Sequence, residues 1–373
     1  MNELGLINDG ALLLRNGVIE ESGPARRVEN LVAARAAREL DAAGRLVMPA
    51  FVDPDGVLVY PQPAGKYSAA ESPEVRIEVL SKHRLTAGAM GAAAEYARHG
   101  SLSLAAHTSS ASDLRSAVRA LRIHQILQGK PLRIRSVLAP PAGQYMNPAS
   151  PLLSGKWLAD IREKKLASIL ELSLREDRAE GVWLQQAMGA AAEAGFAIRL
   201  RLADDDVAKA MNLVHSSGPV AVLAPPLQTT EQLRHSANTG CIHVLPISGY
   251  LRGEWSGEVS LREEIDAGIP VALASGFRTG GPASLNPQYH LQLAVNRFGM
   301  SQEEAIVSVT YNAACALRMS HATGSLEPGK SADLLVMDVA DYRDLFHRAG
   351  HSDVLLSMRA GNTVYRRGAL TAD

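Results

Sequence analysis

Two carboxylates stand two residues apart near the end of the stretch LVMPAFVDPDGVLVY (Leu46–Tyr60): Asp53 and Asp55, followed by Gly56. An apolar segment broken by Pro49 and Pro54 reads as a buried strand feeding a loop. A strand that delivers acids at its C-terminal end is where a (β/α) barrel places its chemistry. His107 closes a second such run, SLSLAAH (Ser101–His107). Asp53, Asp55 and His107 are thus candidate catalytic residues and candidate ligands of a metal site. Asp204, Asp205 and Asp206 follow the strand-like run Ala197–Ala203. They add a third acidic group, which also reads as a turn and helix N-terminus. Just beyond other strand ends lie Tyr60, Ser109, Ser110, Tyr145, Tyr250, Arg252 and Arg278. Arginines there suit a carboxylate-bearing ligand through paired hydrogen bonds. His107 at its strand end and His243 on another strand could each face the mouth or serve a hydrogen-bonded structural role. His83, His99, His215, His235, His321 and His351 sit in helical or polar loop contexts and read as surface residues.

The elements that position these residues alternate. Strand-like runs at Leu132–Pro140, Leu166–Leu174, Ala197–Ala203, Val220–Ala224, Ile242–Ile247 and Val271–Ser275 follow the first two. Helical patterns separate most of them: Pro73–His99, Ser112–Gln128 with Ser112 as cap, Val182–Ala194, Val207–Val214 and Leu261–Ala267. Eight strands with intervening helices predict a parallel sheet closed into a TIM-like barrel. Helices over Tyr289–Phe298 and Gln302–Leu317 follow, the second opened by a Ser301–Glu304 capping box. Asn16-Gly17 between two short apolar runs predicts a tight hairpin at the start. Glycine-punctuated strand runs return at Gly324–Val339 and Val354–Leu370. A β head and a β tail predict one composite β-sandwich from residues 1–48 and 324–373, with the barrel over 49–323.

Composition narrows the class. Of the 373 residues 46% are hydrophobic and 21% charged, ordinary for a globular protein with a sizeable core. A net charge of -1 gives no reason to expect nucleic acid or an anionic membrane as partner. No run reaches the ~18 apolar residues needed to cross a bilayer. The N-terminus MNELGLINDG has neither a basic region nor an apolar core, so a cytoplasmic protein is expected. Cys241 and Cys315 fit neither a disulfide framework nor a zinc spacing and read as free thiols.

Several words resemble the amidohydrolase superfamily. Pro49-Ala50-Phe51-Val52-Asp53 is similar to its first barrel strand, PGFVDxHxH. Gly324-Ser325-Leu326-Glu327-Pro328-Gly329-Lys330-Ser331-Ala332-Asp333-Leu334 resembles its closing G-x-I-x-x-G-x-x-A-D-L signature. Asp341-Tyr342-Arg343 with Leu345-Phe346-His347, the stretch ending PISGYLRGE, and Val271 to Phe277 with Gly280 look like imidazolonepropionase, which opens a cyclic amide. The resemblance spans nearly the whole chain and implies the barrel-plus-sandwich fold. It also leaves a homodimer open.

The same resemblance implies a metal held by histidines of strands one, five and six and an aspartate after strand eight. Here those positions hold Asp55, Val57, Arg201, Pro225 and Gly276. On strand three, Pro140-Pro141 replaces a substrate-touching histidine, and His107 sits near a family lysine. Guanidinium does not lose its proton, so Arg201 brings a permanent cation to a cation's place. It reads either as a replacement charge pairing with Asp53 or Asp55, or as an outward residue of its strand. Two functions follow. The first is a metal-free member, catalytically altered or inactive, needing no cofactor and binding a small polar or carboxylate-bearing molecule or a protein partner. The second is a zinc- or iron-dependent hydrolase of cyclic amides or other non-peptide C–N bonds, with ligands drawn from Asp53, Asp55, His107 and Asp204.

Overall fold

Asn16 and Gly17 both take positive φ, 51° and 81°. That geometry suits the two-residue turn of a hairpin, and it joins β1 (Gly10–Arg15) to β2 (Val18–Pro24) antiparallel. The computed structural model describes residues 4–60, 77–140, 150–174, 182–202, 219–227, 233, 237, 239–255, 260–278 and 282–367.

The strand β3 (Val47–Pro49) leaves the hairpin region and leads into β4 (Phe51–Gly56), all of whose residues are buried. Seven more parallel strands follow: β5 (Ser101–His107), β6 (Arg133–Leu138), β7 (Ile169–Leu174), β8 (Ala197–Leu202), β9 (Ala221–Leu223), β10 (Ile242–Pro246) and β11 (Val271–Ala274). They pair in sequence order. The circle closes where Gly276 N–H donates to Asp55 O (3.0 Å) and Val57 N–H to Phe277 O (3.2 Å). This is the expected TIM-like barrel.

Alternation sorts the side chains. Val52, Ala105, Val137, Ile169, Ala221, Leu223, Val244, Ala272 and Ala274 pack together inside, joined by Ala313, Ala314 and Leu317. The neighbouring positions Leu170, Leu172, Ile198, Leu200 and Val222 pack outward in a second cluster. Pairing of β4 with β5 is irregular between Asp53 and Gly56, where Pro54 has no N–H to offer the ladder.

Helices on the outside are fixed by their caps. Lys82–Arg98 starts at Ser81, whose Oγ accepts from Arg84 N. The helix Leu114–Leu127 is capped by Asp113, not by Ser112 as expected. The Asp113 carboxylate accepts from Ser116 N, while Ser112 Oγ donates to Glu78 Oε1 instead. The Ser301–Glu304 capping box forms, with Glu304 N donating to Ser301 Oγ and Ser301 N to Glu304 Oε2. The single helix expected over Gln302–Leu317 is two, Gln302–Val309 and Tyr311–Ala316, broken at Thr310 with φ -122° and ψ -89°. The helix expected over Val207–Val214 lies outside the described residues. No described helix is long and apolar enough to cross a membrane.

After the barrel come β12 (Leu334–Met337), β13 (Val354–Arg359) and β14 (Asn362–Arg366), antiparallel in the order β14-β13-β12-β3. Strand β3 belongs to this sheet and β4, one residue later, to the barrel. The second strand of the N-terminal hairpin is also tied to the tail, Ile19 N–H donating to Lys330 O at 2.8 Å. Both chain ends thus build the small β region together.

Candidate functional site

Strands β7 and β8 pair with Glu171 opposite Arg199 and Ser173 opposite Arg201. Ile169 and Ala197 face the lumen, so period-2 alternation puts Glu171, Arg199 and Arg201 there too. At the end of β4, Asp55 reaches the same space. Arg201 Nη2 donates to Asp55 Oδ1 at 2.6 Å and to Glu171 Oε2 at 3.1 Å, and its Nε donates to Glu171 Oε1 at 2.9 Å. Arg199 lies between the same two acids, Nη2 at 3.1 Å from Asp55 Oδ1 and 2.5 Å from Glu171 Oε2. Its Nη1 also donates to Pro54 O at 2.8 Å. Arg199, Asp55 and Glu171 have side-chain exposures of 1, 0 and 1%.

Two buried carboxylates and two guanidinium groups therefore neutralise each other across the lumen. Burial alone would raise the acids. For Asp55 the Arg201 guanidinium outweighs it and brings the carboxyl to about 2. Glu171 is held well below the carboxylate range by Arg199 and Arg201 against the same burial. Arg201 is in turn shifted above its usual value, Asp55 and Glu171 prevailing over desolvation. Both acids stay ionised at neutral pH.

His107 adjoins the network, Nε2 3.4 Å from Asp55 Oδ1, and its Nδ1 is hydrogen-bonded to Ser109 Oγ at 2.8 Å. Burial lowers His107 to about 3, so the ring is neutral. Arg278 approaches from beyond β11, Nη2 3.9 Å from Glu171 Oε1, with its side chain 32% exposed. Among the described residues that Nη2 has no hydrogen-bond partner, and neither has Asp55 Oδ2. Burial and Arg201 lower Arg278 to about 10, so it remains a cation.

Asp53 has a different task. Its Oδ1 accepts from Asp55 N and Ser275 N, both at 3.1 Å, at the seam where the first and last strands meet. Burial raises it to about 7. Tyr60 packs edge-on against Phe277, with ring centroids 5.2 Å apart. Ser110 Oγ donates to Val59 O.

Two expected ligand-binding residues lie elsewhere. Tyr250 is in the helical turn Ile247–Leu251, which turns its ring onto Phe298 (5.1 Å) and Trp255 (5.7 Å). Arg252 ends that turn and pairs with Glu254. His243 points outward between sheet and helix, bonded to Glu264 and, at 3.3 Å, to Ala224 O. Its pKa is raised because Glu264 outweighs burial. Tyr145 and Asp204 lie outside the described residues. Glu171 and Arg199 were missed in the sequence, although the alternation of Arg199-Leu200-Arg201 with the apolar ILELSL was a usable signal.

A divalent cation needs several convergent lone pairs from imidazole, thiolate or carboxylate. Those of Asp55 Oδ1 and Glu171 are directed at guanidinium N–H groups. Val57 is buried, its N–H bonded to Phe277 O; Pro225 has no donor side chain. Gly276 has φ +59°, and a Cβ there would sit 2.6 Å from Pro246 Cβ and collide with Ser248 Oγ. Among the described residues no group of three or more His, Cys, Asp or Glu is arranged to hold a metal ion. This donor set does not fit a divalent cation.

Comparison with known proteins agrees with the architecture. Imidazolonepropionase of Brevibacillus brevis is 24% identical over 396 residues, spanning 99% of this chain and 93% of that protein. That of Solibacter usitatus is 27% identical over 411 residues, with 99% and 94% covered. Among solved structures, 5-methylcytosine deaminase from Klebsiella pneumoniae liganded with 5-fluorocytosine superposes with a TM-score of 0.75 at 18% identity, covering 96% of this chain and 95% of that one. E. coli guanine deaminase gives 0.73 at 16%, with 97% and 93% covered. The model of the amidohydrolase family matches residues 163–364. The chain is imidazolonepropionase-like in sequence and belongs to the amidohydrolase family.

Proposed function

We propose that this protein is a metal-independent member of its family, altered in or without hydrolytic activity, whose barrel mouth binds a small polar molecule bearing a carboxylate. The observation that carries the reading is Arg201 bonded to both Asp55 and Glu171 inside the lumen. A fixed positive charge there supplies what a cation would supply to two acids, and a metal brought to the same place would meet guanidinium repulsion at about 4 Å or less. Arg278 Nη2, 3.9 Å from Glu171 Oε1, has no hydrogen-bond partner among the described residues. A ligand carboxylate satisfies it with a charge-assisted pair of bonds. Asp55 Oδ2 and the His107 ring offer partners for an N–H or O–H on the same ligand.

Elemental mass spectrometry tests the first half, on protein purified without chelator or affinity-tag metal. Strongly substoichiometric zinc, iron and manganese are expected. Near one equivalent would sink the reading and return the hydrolase built on Asp55 and His107. Thermal-shift screening of small mono- and dicarboxylic acids tests the second half. Arg278→Gln should weaken any hit at least tenfold, roughly the worth of one charge-assisted hydrogen bond.

A further inference from the structure

The opposite end of the barrel holds a second group of arginines, two of them on β6. Ser101 and Ser103 on β5 share the inward face with Ala105, and Arg133 and Arg135 on β6 share it with Val137. Ser103 stands opposite Arg133 and Ala105 opposite Arg135 in the parallel register. Arg135 reaches towards β7, Nη1 donating to Ser168 Oγ at a long 3.4 Å. Arg162, whose Nη1 donates to Ala167 O, and Arg318, which follows the helix Tyr311–Ala316, lie close enough to act on Arg135. Burial first, then Arg133, Arg162 and Arg318, lower the Arg135 pKa, and no acid is among its influences.

Among the described residues one carboxylate serves this group. Asp333 Oδ2 accepts from Arg133 Nη2 at 2.9 Å, but its Oδ1 is engaged by Ser331 Oγ and Ala360 N. Nitrogen and oxygen donors remain over. Among the described residues the buried Nε atoms of Arg133 and Arg135 have no hydrogen-bond partner, and neither have the hydroxyls of Ser101 and Ser103, both residues 1% exposed. Buried donors left unpaired are unfavourable, and an anion with several oxygens satisfies many at once.

We infer that the floor of the barrel, framed by Ser101, Ser103, Arg133, Arg135 and Arg318, is a binding site for a small oxyanion of the phosphate type. This site is separate from the mouth and independent of the ligand proposed there. The phosphoryl oxygens take the guanidinium Nε–H groups and the serine hydroxyls; Arg318 and Arg162 contribute charge at the rim. The occupant is free phosphate, or the phosphoryl group of a small ester.

Isothermal titration calorimetry of the full chain with inorganic phosphate, at ionic strength held constant with chloride, tests the site. Saturable binding near one equivalent is expected, about tenfold or more weaker in Arg135→Gln, as loss of a charge-assisted bond implies. Should that variant not fold, Arg318→Glu reverses an exposed rim charge and should weaken binding several-fold. Arg278→Gln, at the mouth, should leave it unchanged. Glycerol phosphate in a parallel titration separates the two sources: affinity equal to or above that of phosphate marks an ester site, and much lower affinity marks a closed pocket for the free ion. Non-saturable heat, equal affinity in the wild type and both floor variants, or loss in Arg278→Gln would each overturn the proposal.

Discussion

Asp53 and Asp55 differ by two positions and are both buried, yet their environments drive them apart. Asp55 meets two guanidinium groups and falls to about 2; Asp53 meets backbone N–H groups and burial, and rises to about 7. For Asp55 the folded pKa lies below the unfolded one, so its stabilisation is present above about pH 4 and lost as pH falls towards 2. For Asp53 the folded pKa lies above the unfolded one. Its relative stabilisation is therefore complete below about pH 4 and disappears as pH rises through 7. Asp53→Asn keeps the Oδ1 acceptor and removes the ionisation. The variant should match the wild type at pH 4 and be more stable at pH 8, by up to about 4 kcal/mol at 1.36 kcal/mol per unit. Urea denaturation at the two pH values checks this; equal stability at both would assign Asp53 a solvated setting. Arg201→Met should cost about 3–5 kcal/mol at pH 7, because Asp55 and Glu171 are left sharing Arg199 in a dry lumen. Adding Asp55→Asn to it should cost less than the sum of the two single changes, since each removes the other's unpaired partner.

The elements decide which of these residues could be read in advance. His107 and Asp55 end strands, and a strand end in a barrel sequence announces its place. Arg201 was also legible as a cation on a strand, but its direction was not: one residue of register turns a side chain from lumen to helix layer. Glu171 was hidden because ILELSL reads as a buried apolar strand, and only the register with β8 shows that its one acid faces Arg199. Tyr250 failed in the opposite way. It follows a strand end, but the chain enters a helical turn that carries the ring out of the lumen to Phe298. Gly276 shows how firmly an element can fix a position. With φ +59° and Pro246 Cβ 2.6 Å from any added Cβ, Gly276→Asp combines left-handed backbone with a core clash. It should destabilise by more than about 2 kcal/mol. Ser248→Ala beside it removes only the Oγ collision, so the double variant should recover part of the loss in thermal denaturation. Recovery to wild-type stability would mean that the backbone strain is negligible.

At the scale of the whole molecule, both chain ends meet at one buried acid. Asp333 binds Arg133 of the barrel, Ser331 of its own turn and the Ala360 N–H beyond β13, while its backbone O accepts from Ala50 N between β3 and β4. The composite β region was legible because glycine-punctuated strands without helices stand at both termini. Its joint to the barrel was not, because that depends on a contact 200 residues long in sequence. Asp333→Asn keeps the size and an acceptor but removes the charge facing Arg133. If barrel and β region fold as one unit, the variant should melt in a single transition at lower temperature, with aromatic and backbone circular dichroism falling together. Two separated transitions would show that the β region holds its shape without this joint. Removing the carboxylate also leaves the floor of the barrel more positive, so phosphate affinity should rise in the same variant while stability falls. Opposite signs for the two readouts separate a charge effect at the floor from general loosening, which would lower both.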